Sequence, residues 1–139
     1  MRLLVDTHCW LWQLDSPERL NDAAREALTD GENEIFFSAA SVWEIVIKTS
    51  IGKLSLPVPP REFIPSRLAA LRHQSLAITQ AHALALASLP LHHRDPFDRI
   101  LIAQTRSEGL TLVTADAALV AYDVEILWAN TTPAPSRPA

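Results

Sequence analysis

Four acidic side chains in this chain are spaced so that carboxylates can converge on a ligand: Asp6, Glu44, Asp98 and Asp116. Asp6 closes the apolar run Leu3-Leu4-Val5, and the strand-like Leu110-Thr111-Leu112-Val113 ends in Thr114-Ala115-Asp116. Such runs fit fully buried strands, and in an open parallel sheet ligands bind outside the carboxyl ends of the strands. One acid after one strand is as well explained as a helix N-cap. Two acids at the ends of two strands of one sheet point to a site. Glu44 shares the interior of the apolar stretch Ala39–Ser50 with a single other charge, Lys48. Ser41 and Glu44 have capping-box spacing, which would explain Glu44 if the helix began at Ser41. With Ser38 as cap, Glu44 is an interior carboxylate, where an unpaired charge is costly and a metal compensates it. Asp95 and Asp98 fall together at a helix start. Asp95 is the better N-cap, with Pro96 at N1, so Asp98 is assigned to the site and Asp95 is held in reserve.

Hard oxygen donors of this kind suit Mg²⁺ or Mn²⁺, which bridge carboxylates to phosphate oxygens. An ion held there activates water, orients a phosphate and neutralises charge on a leaving oxygen. The four acids therefore predict metal-dependent hydrolysis of a phosphodiester. Thr7 and Thr114 are placed to position water or phosphate, and turn hydrogen bonding explains them equally well. His8, His92 and His93 raise the alternative of zinc. Without Cys partners or an HExxH pattern they read as surface or capping residues. Cys9 reads as a small buried side chain.

The elements that must position these acids alternate strand with helix. Strands are expected at Leu3–Val5, Glu34–Phe37, Ser75–Ile78 and Leu110–Val113, and a final apolar segment follows at Val124–Trp128. Helices are expected over Thr7–Leu14, Asn21–Thr29, Ala39–Ser50, Arg61–His73 with an early kink or break at Pro65, Gln80–Ser88, Pro96–Ser107, and briefly Asp116–Ala121. The third of these is apolar nearly all the way round, so it is expected to be largely buried. The alternation gives a three-layer α/β/α fold on a mostly parallel central sheet. At 139 residues, one domain is expected over 1–129, followed by a Pro, Thr, Ser and Ala-rich tail, 130–139, expected to be disordered.

Composition narrows the setting. A single Cys excludes an intramolecular disulfide and fits a reducing cytoplasm. The N-terminus reads as a strand rather than a signal peptide, and no run approaches the roughly 18 apolar residues of a membrane helix. Net charge is −4, which argues against a basic face gripping nucleic acid without regard to sequence. It does not argue against a metal-dependent nuclease, because bound divalent cations reverse the local sign where phosphate sits.

With these residues in view, the chain resembles the PIN-domain ribonucleases, in particular the VapC-type toxins of bacterial toxin–antitoxin pairs. The resemblance is carried by Leu4-Val5-Asp6-Thr7-His8, Ser41-Val42-Trp43-Glu44-Ile45, Ile47-Lys48, Gly52-Lys53-Leu54, His93-Arg94-Asp95-Pro96-Phe97-Asp98-Arg99 and Val113-Thr114-Ala115-Asp116. The family's four acids fall at Asp6, Glu44, Asp98 and Asp116, with no departure at any of them. The resemblance implies a Mg²⁺- or Mn²⁺-dependent endoribonuclease, a homodimer, and a cognate antitoxin whose C-terminal segment enters a groove of the toxin. Trp10 and Trp12 are candidates for that groove, with core packing as the plainer account. Arg94 and Arg99, and more weakly Lys48, are candidates for RNA phosphate. Two alternatives remain open: a non-catalytic interaction module of the same fold, and a metal-dependent DNA nuclease. A phosphatase of the haloacid dehalogenase type would need a second Asp where His8 stands.

Overall fold

The computed structural model describes residues 1–137. Five strands, β1 (Arg2–Val5), β2 (Glu34–Ser38), β3 (Gln74–Leu76), β4 (Thr111–Thr114) and β5 (Ile126–Trp128), form one sheet in the order β3-β2-β1-β4-β5, with every pairing parallel. Six α-helices cover it: α1 (Thr7–Asp15), α2 (Asp22–Thr29), α3 (Ala39–Ser50), α4 (Pro60–Leu71), α5 (Gln80–Ala85) and α6 (Pro96–Glu108). The expected three-layer α/β/α architecture is observed.

β1 lies at the centre, which is why Leu3, Leu4 and Val5 are all apolar and all buried. Alternation along it feeds two cores. Leu3 and Val5 pack with Trp10, Phe37, Ile45, Phe63 and Val113, while Leu4 packs with Leu101, Ile102, Leu112, Leu119 and Tyr122. From β1 the chain winds outward to β2 and β3, then crosses to β4 and β5 on the opposite side. The boundary between β1 and β4 is therefore the point where the winding reverses, and crevices form at the carboxyl ends of such strands.

Local signals set most element ends. Asn21 accepts from Ala24 N at 2.8 Å, Ser38 from Ala40 N at 3.0 Å, and Thr79 from His82 N at 3.2 Å. Gly109 closes α6 at φ 64°, a left-handed conformation that glycine adopts without a Cβ clash. Several elements depart from expectation. α4 runs through Pro65 without a break, with Pro60 in its first turn. β3 stops at Leu76, because the Ala77 carbonyl accepts from Gln104 Nε2 at 3.3 Å rather than from a sheet neighbour. α5 tightens into a 3₁₀ turn over Leu86–Ser88, and the segment after Asp116 is likewise 3₁₀, Ala117–Ala121. Finally, α3 buries only Ala40, Ser41, Glu44 and Ile45, leaving Trp43 60% and Val46 45% exposed.

Within the tail, Arg137 Nη2 donates to Val124 O at 2.6 Å and Trp128 Nε1 to Thr132 O at 2.7 Å. Residues 138 and 139 of the expected disordered tail lie outside the described residues.

Candidate metal centre at the carboxyl edge of the sheet

β1 and β4 run in register, Val5 opposite Val113, and the Asp6 amide donates to Val113 O at 3.0 Å. That pairing carries Asp6 and Thr114 side by side over the sheet edge. Asp6 is 5% exposed. Its Oδ1 accepts from Cys9 N at 2.7 Å, capping α1, and its Oδ2 accepts from Thr114 Oγ1 at 2.5 Å. The same Thr114 Oγ1 accepts from Asp116 N at 3.0 Å. One hydroxyl thus ties the two strand-end acids together. Asp116 also caps the following 3₁₀ turn through Ala118 N at 2.9 Å, so the capping and site readings coexist at both strand ends.

Asp98 enters from the first turn of α6. Asp95 is the cap, accepting from Phe97 N at 2.9 Å and Asp98 N at 3.4 Å, and Asp98 is free to turn toward the sheet edge. Its Oδ2 lies 2.8 Å from His93 Nε2. One ligand atom from each of His93, Asp98 and Asp116 falls within 4.8 Å of the others, the spacing of a shared cation; Asp6 and Glu44 lie outside that mutual radius. Burial raises the Asp98 carboxyl to about 6, and the negative charges of Asp95, Asp116 and Asp6 push the same way. Asp6 is raised too, chiefly by burial and against the hydrogen bonds from Thr114 and Cys9. Buried carboxylates that resist ionisation gain most from a divalent cation placed beside them. The donor set of this edge, dominated by carboxylate oxygen, fits such an ion.

Glu44 lies in α3, and among the described residues no hydrogen bond or shared ligand spacing ties it to the other three acids. Because α3 begins at Ala39 under the Ser38 cap, the capping-box account of Glu44 does not apply. It is 4% exposed and accepts from Lys48 Nζ at 2.7 Å, one helical turn on. Ser41 Oγ accepts from Thr7 Oγ1 at 2.8 Å, fixing α3 against the start of α1, and Trp43 meets the Phe97 ring edge-on at 5.1 Å, fixing α3 against α6.

A family model for the PIN domain matches residues 3–125. The chain belongs to the PIN-domain family. This PIN domain is 36% identical over 69 residues to a protein named ribonuclease VapC16 of Mycobacterium tuberculosis, covering 48% of the chain and 49% of that relative. The chain thus spans about half the length of that relative. It is 28% identical over 118 residues to ribonuclease VapC22 of the same organism, covering 84% and 88%. Among solved structures the fold is shared with VapBC2 of Rickettsia felis bound to a promoter DNA fragment, at TM-score 0.71 and 13% identity over 94% of this chain and 100% of that one. It is shared also with FitAcB of Neisseria gonorrhoeae, at TM-score 0.61 and 20% identity over 89% and 95%.

Within this PIN domain the other side chains singled out by the sequence fall as follows. Arg99 does not face the crevice: its Nη1 donates to Pro90 O at 3.0 Å, His93 O at 3.4 Å and the Tyr122 hydroxyl at 3.3 Å, and its Nη2 to Leu89 O at 3.4 Å. It staples the 89–93 loop to α6. Trp10 is fully buried, stacked on Phe37 and donating to His73 Nδ1 at 3.2 Å, so core packing accounts for it. Trp12 is half-buried beneath Arg19. Arg94 is exposed. Burial raises the Cys9 thiol far above the usual range, consistent with an inert side chain. His93, which the sequence raised as a zinc alternative and set aside as a surface or capping residue, is instead brought to the acids. The signal available was its position directly before Arg94-Asp95-Pro96, a loop that the helix start must fold back over the acids.

Proposed function

We propose that this PIN domain is a Mg²⁺- or Mn²⁺-dependent endoribonuclease acting in the cytoplasm as the toxin of a toxin–antitoxin pair, with Asp6, Glu44, Asp98 and Asp116 as its acidic machinery. The observation that carries the reading is the junction of three of these acids at the β1/β4 reversal, Asp6 and Asp116 through Thr114 and Asp98 beside Asp116. The names of the two ribonuclease relatives support RNA as the substrate.

The ion, when bound, supplies a polarised water and neutralises charge on the phosphate and the leaving oxygen. The protein's share is geometric. Asp6 is held at both oxygens, Oδ1 by Cys9 N and Oδ2 by Thr114 Oγ1. Asp116 is held by its own amide on Thr114, and Asp98 by the α6 cap at Asp95. Glu44 adds a carboxylate from the α3 side.

Beside Thr7, a cavity of about 380 Å³ is lined by His8, Leu11, Ile45, Lys48, Lys53 and Leu54. It suits the nucleotide next to the scissile bond, with the lysines on phosphate and the apolar wall under the base. Arg94, exposed next to Asp95, is the remaining candidate arginine for the RNA backbone. The antitoxin reading is supported by the VapBC and FitAcB names of the fold neighbours. The uncovered apolar face of α3 is the surface on which a protein partner, including a second copy in a homodimer, would rest.

The test is cleavage of a mixed pool of tRNA, rRNA fragments and mRNA by purified protein with Mg²⁺ or Mn²⁺, beside Asp6→Asn, Asp98→Asn and EDTA. Discrete cuts that vanish in both variants and with EDTA are expected. Folded, antitoxin-free protein that cuts DNA, or neither nucleic acid, would overturn the ribonuclease reading in favour of the DNA nuclease or the interaction module.

A further inference from the structure

We infer that His93 is a direct nitrogen ligand of the metal at this centre and that it biases the site toward Mn²⁺ over Mg²⁺. The inference rests on the metal-dependent reading above and goes beyond the four acids. His93 Nε2 stands 2.8 Å from Asp98 Oδ2, and it shares the 4.8 Å mutual spacing with Asp98 and Asp116. Around an octahedral ion with ligand distances of about 2.1 Å, adjacent ligands lie about 3 Å apart and opposite ones about 4.2 Å. The His93–Asp98 separation is thus that of two neighbouring ligands. A side chain that served Asp98 alone need not approach Asp116, whereas a ring nitrogen of His93 also lies within 4.8 Å of an Asp116 carboxylate oxygen.

The placement is enforced rather than incidental. Arg99, the residue after Asp98, holds the carbonyls of Leu89, Pro90 and His93 through one guanidinium. Loop and helix start are therefore one rigid unit, and the imidazole and the carboxylate are presented together. The flanking His92 is turned away, edge-on to Tyr122 at 5.0 Å.

The consequence is selectivity. Mg²⁺ is bound through hard oxygens, whereas imidazole is a ligand of the transition metals, Mn²⁺ among those that accept it beside carboxylates. Replacing one oxygen donor by nitrogen strengthens Mn²⁺ relative to Mg²⁺ without changing the charge of the acid set.

The experiment uses the full chain loaded with MnCl₂ or MgCl₂. Titration calorimetry gives both affinities, and electron spin-echo envelope modulation of bound Mn²⁺ reads coupling to ¹⁴N. Coupling is expected in the unmodified protein, replaced by ¹⁵N coupling on histidine labelling, and absent from His93→Gln. In that variant Mn²⁺ affinity should fall at least about tenfold with a smaller change for Mg²⁺, and His93→Asp should shift the preference toward Mg²⁺. His92→Gln should leave spectrum and affinities unchanged. Bound Mn²⁺ without ¹⁴N coupling, or equal losses for both ions in His93→Gln, would overturn the inference while leaving the acidic site intact. A protein that binds neither ion would overturn the metal reading itself, and the inference with it.

Discussion

Thr114 Oγ1 donates to Asp6 Oδ2 at 2.5 Å although 108 residues separate the two, and the same oxygen accepts from Asp116 N. A hydroxyl that is donor to one acid and acceptor from the next fixes both at once. Thr114→Val keeps the shape of the side chain and removes both bonds. We expect metal affinity and cleavage to fall about 10- to 100-fold, the usual cost of losing a residue that orients a metal ligand. Thr114→Ser should retain most of both. Calorimetric Mn²⁺ titration beside the cleavage assay checks this, and a Val variant with unchanged affinity would show that the hydroxyl serves the fold alone.

Glu44 and Lys48 form an ion pair in which the acid is buried and the lysine a third exposed. Lys48→Met leaves the acid without its counter-charge. The metal-free protein should lose on the order of 1 kcal/mol, since the exposed lysine screens only partly. Added Mn²⁺ should then raise the melting temperature of the variant more than that of the parent. Thermal melts with and without MnCl₂ decide it; equal increments in both proteins would place Glu44 outside the metal's reach.

Arg99→Lys keeps the charge and loses the planar fork. A single ammonium cannot meet Leu89 O, Pro90 O, His93 O and the Tyr122 hydroxyl together, so the 89–93 loop should loosen at a cost of about 1 to 2 kcal/mol. Trypsin cleavage after the exposed Arg94 should accelerate, and RNA cleavage should fall because Asp98 and His93 no longer move as one. Timed proteolysis read by mass spectrometry gives the first of these directly.

His73 accepts from Trp10 Nε1, and burial lowers its imidazole to about 4. The unfolded chain, with an ordinary histidine near 6.5, binds its proton first, so this residue makes stability fall as pH drops from about 6.5 toward 4. Asp98 acts in the opposite sense, its raised carboxyl making stability fall as pH rises from about 4 to 6. The comparison that isolates His73 is therefore a difference. Denaturant unfolding of the parent minus His73→Gln should show a gap that narrows on acidification, and a gap independent of pH would refute the assignment.

What the sequence reveals here follows the range of the forces involved. The strand-end acids are legible because a central parallel strand is apolar on both faces and stops where its carboxyl end meets solvent, as Leu3–Asp6 does. The caps at Asn21, Ser38, Thr79 and Asp95 are legible because each is a bond between near neighbours. His93 is not, since its direction is set by Arg99 folding back over the loop and by the distant sheet edge. The outer face of α3 fails for another reason: Trp43, Val46 and Ile51 have the composition of a buried helix, and periodicity cannot say whether the cover comes from the same chain. β3 ends early through Gln104, a partner 27 residues from Ala77.

The strand order carries a consequence for the order of assembly. β1 is made first but lies in the middle, and one of its two flanks stays open until β4 arrives more than a hundred residues later. On a growing chain, Asp6 has neither Thr114 nor Asp116 beside it until more than a hundred further residues have been made, and contacts of such long range form late in folding. The acidic edge is therefore a late feature of this fold, complete only once β4 has closed on β1.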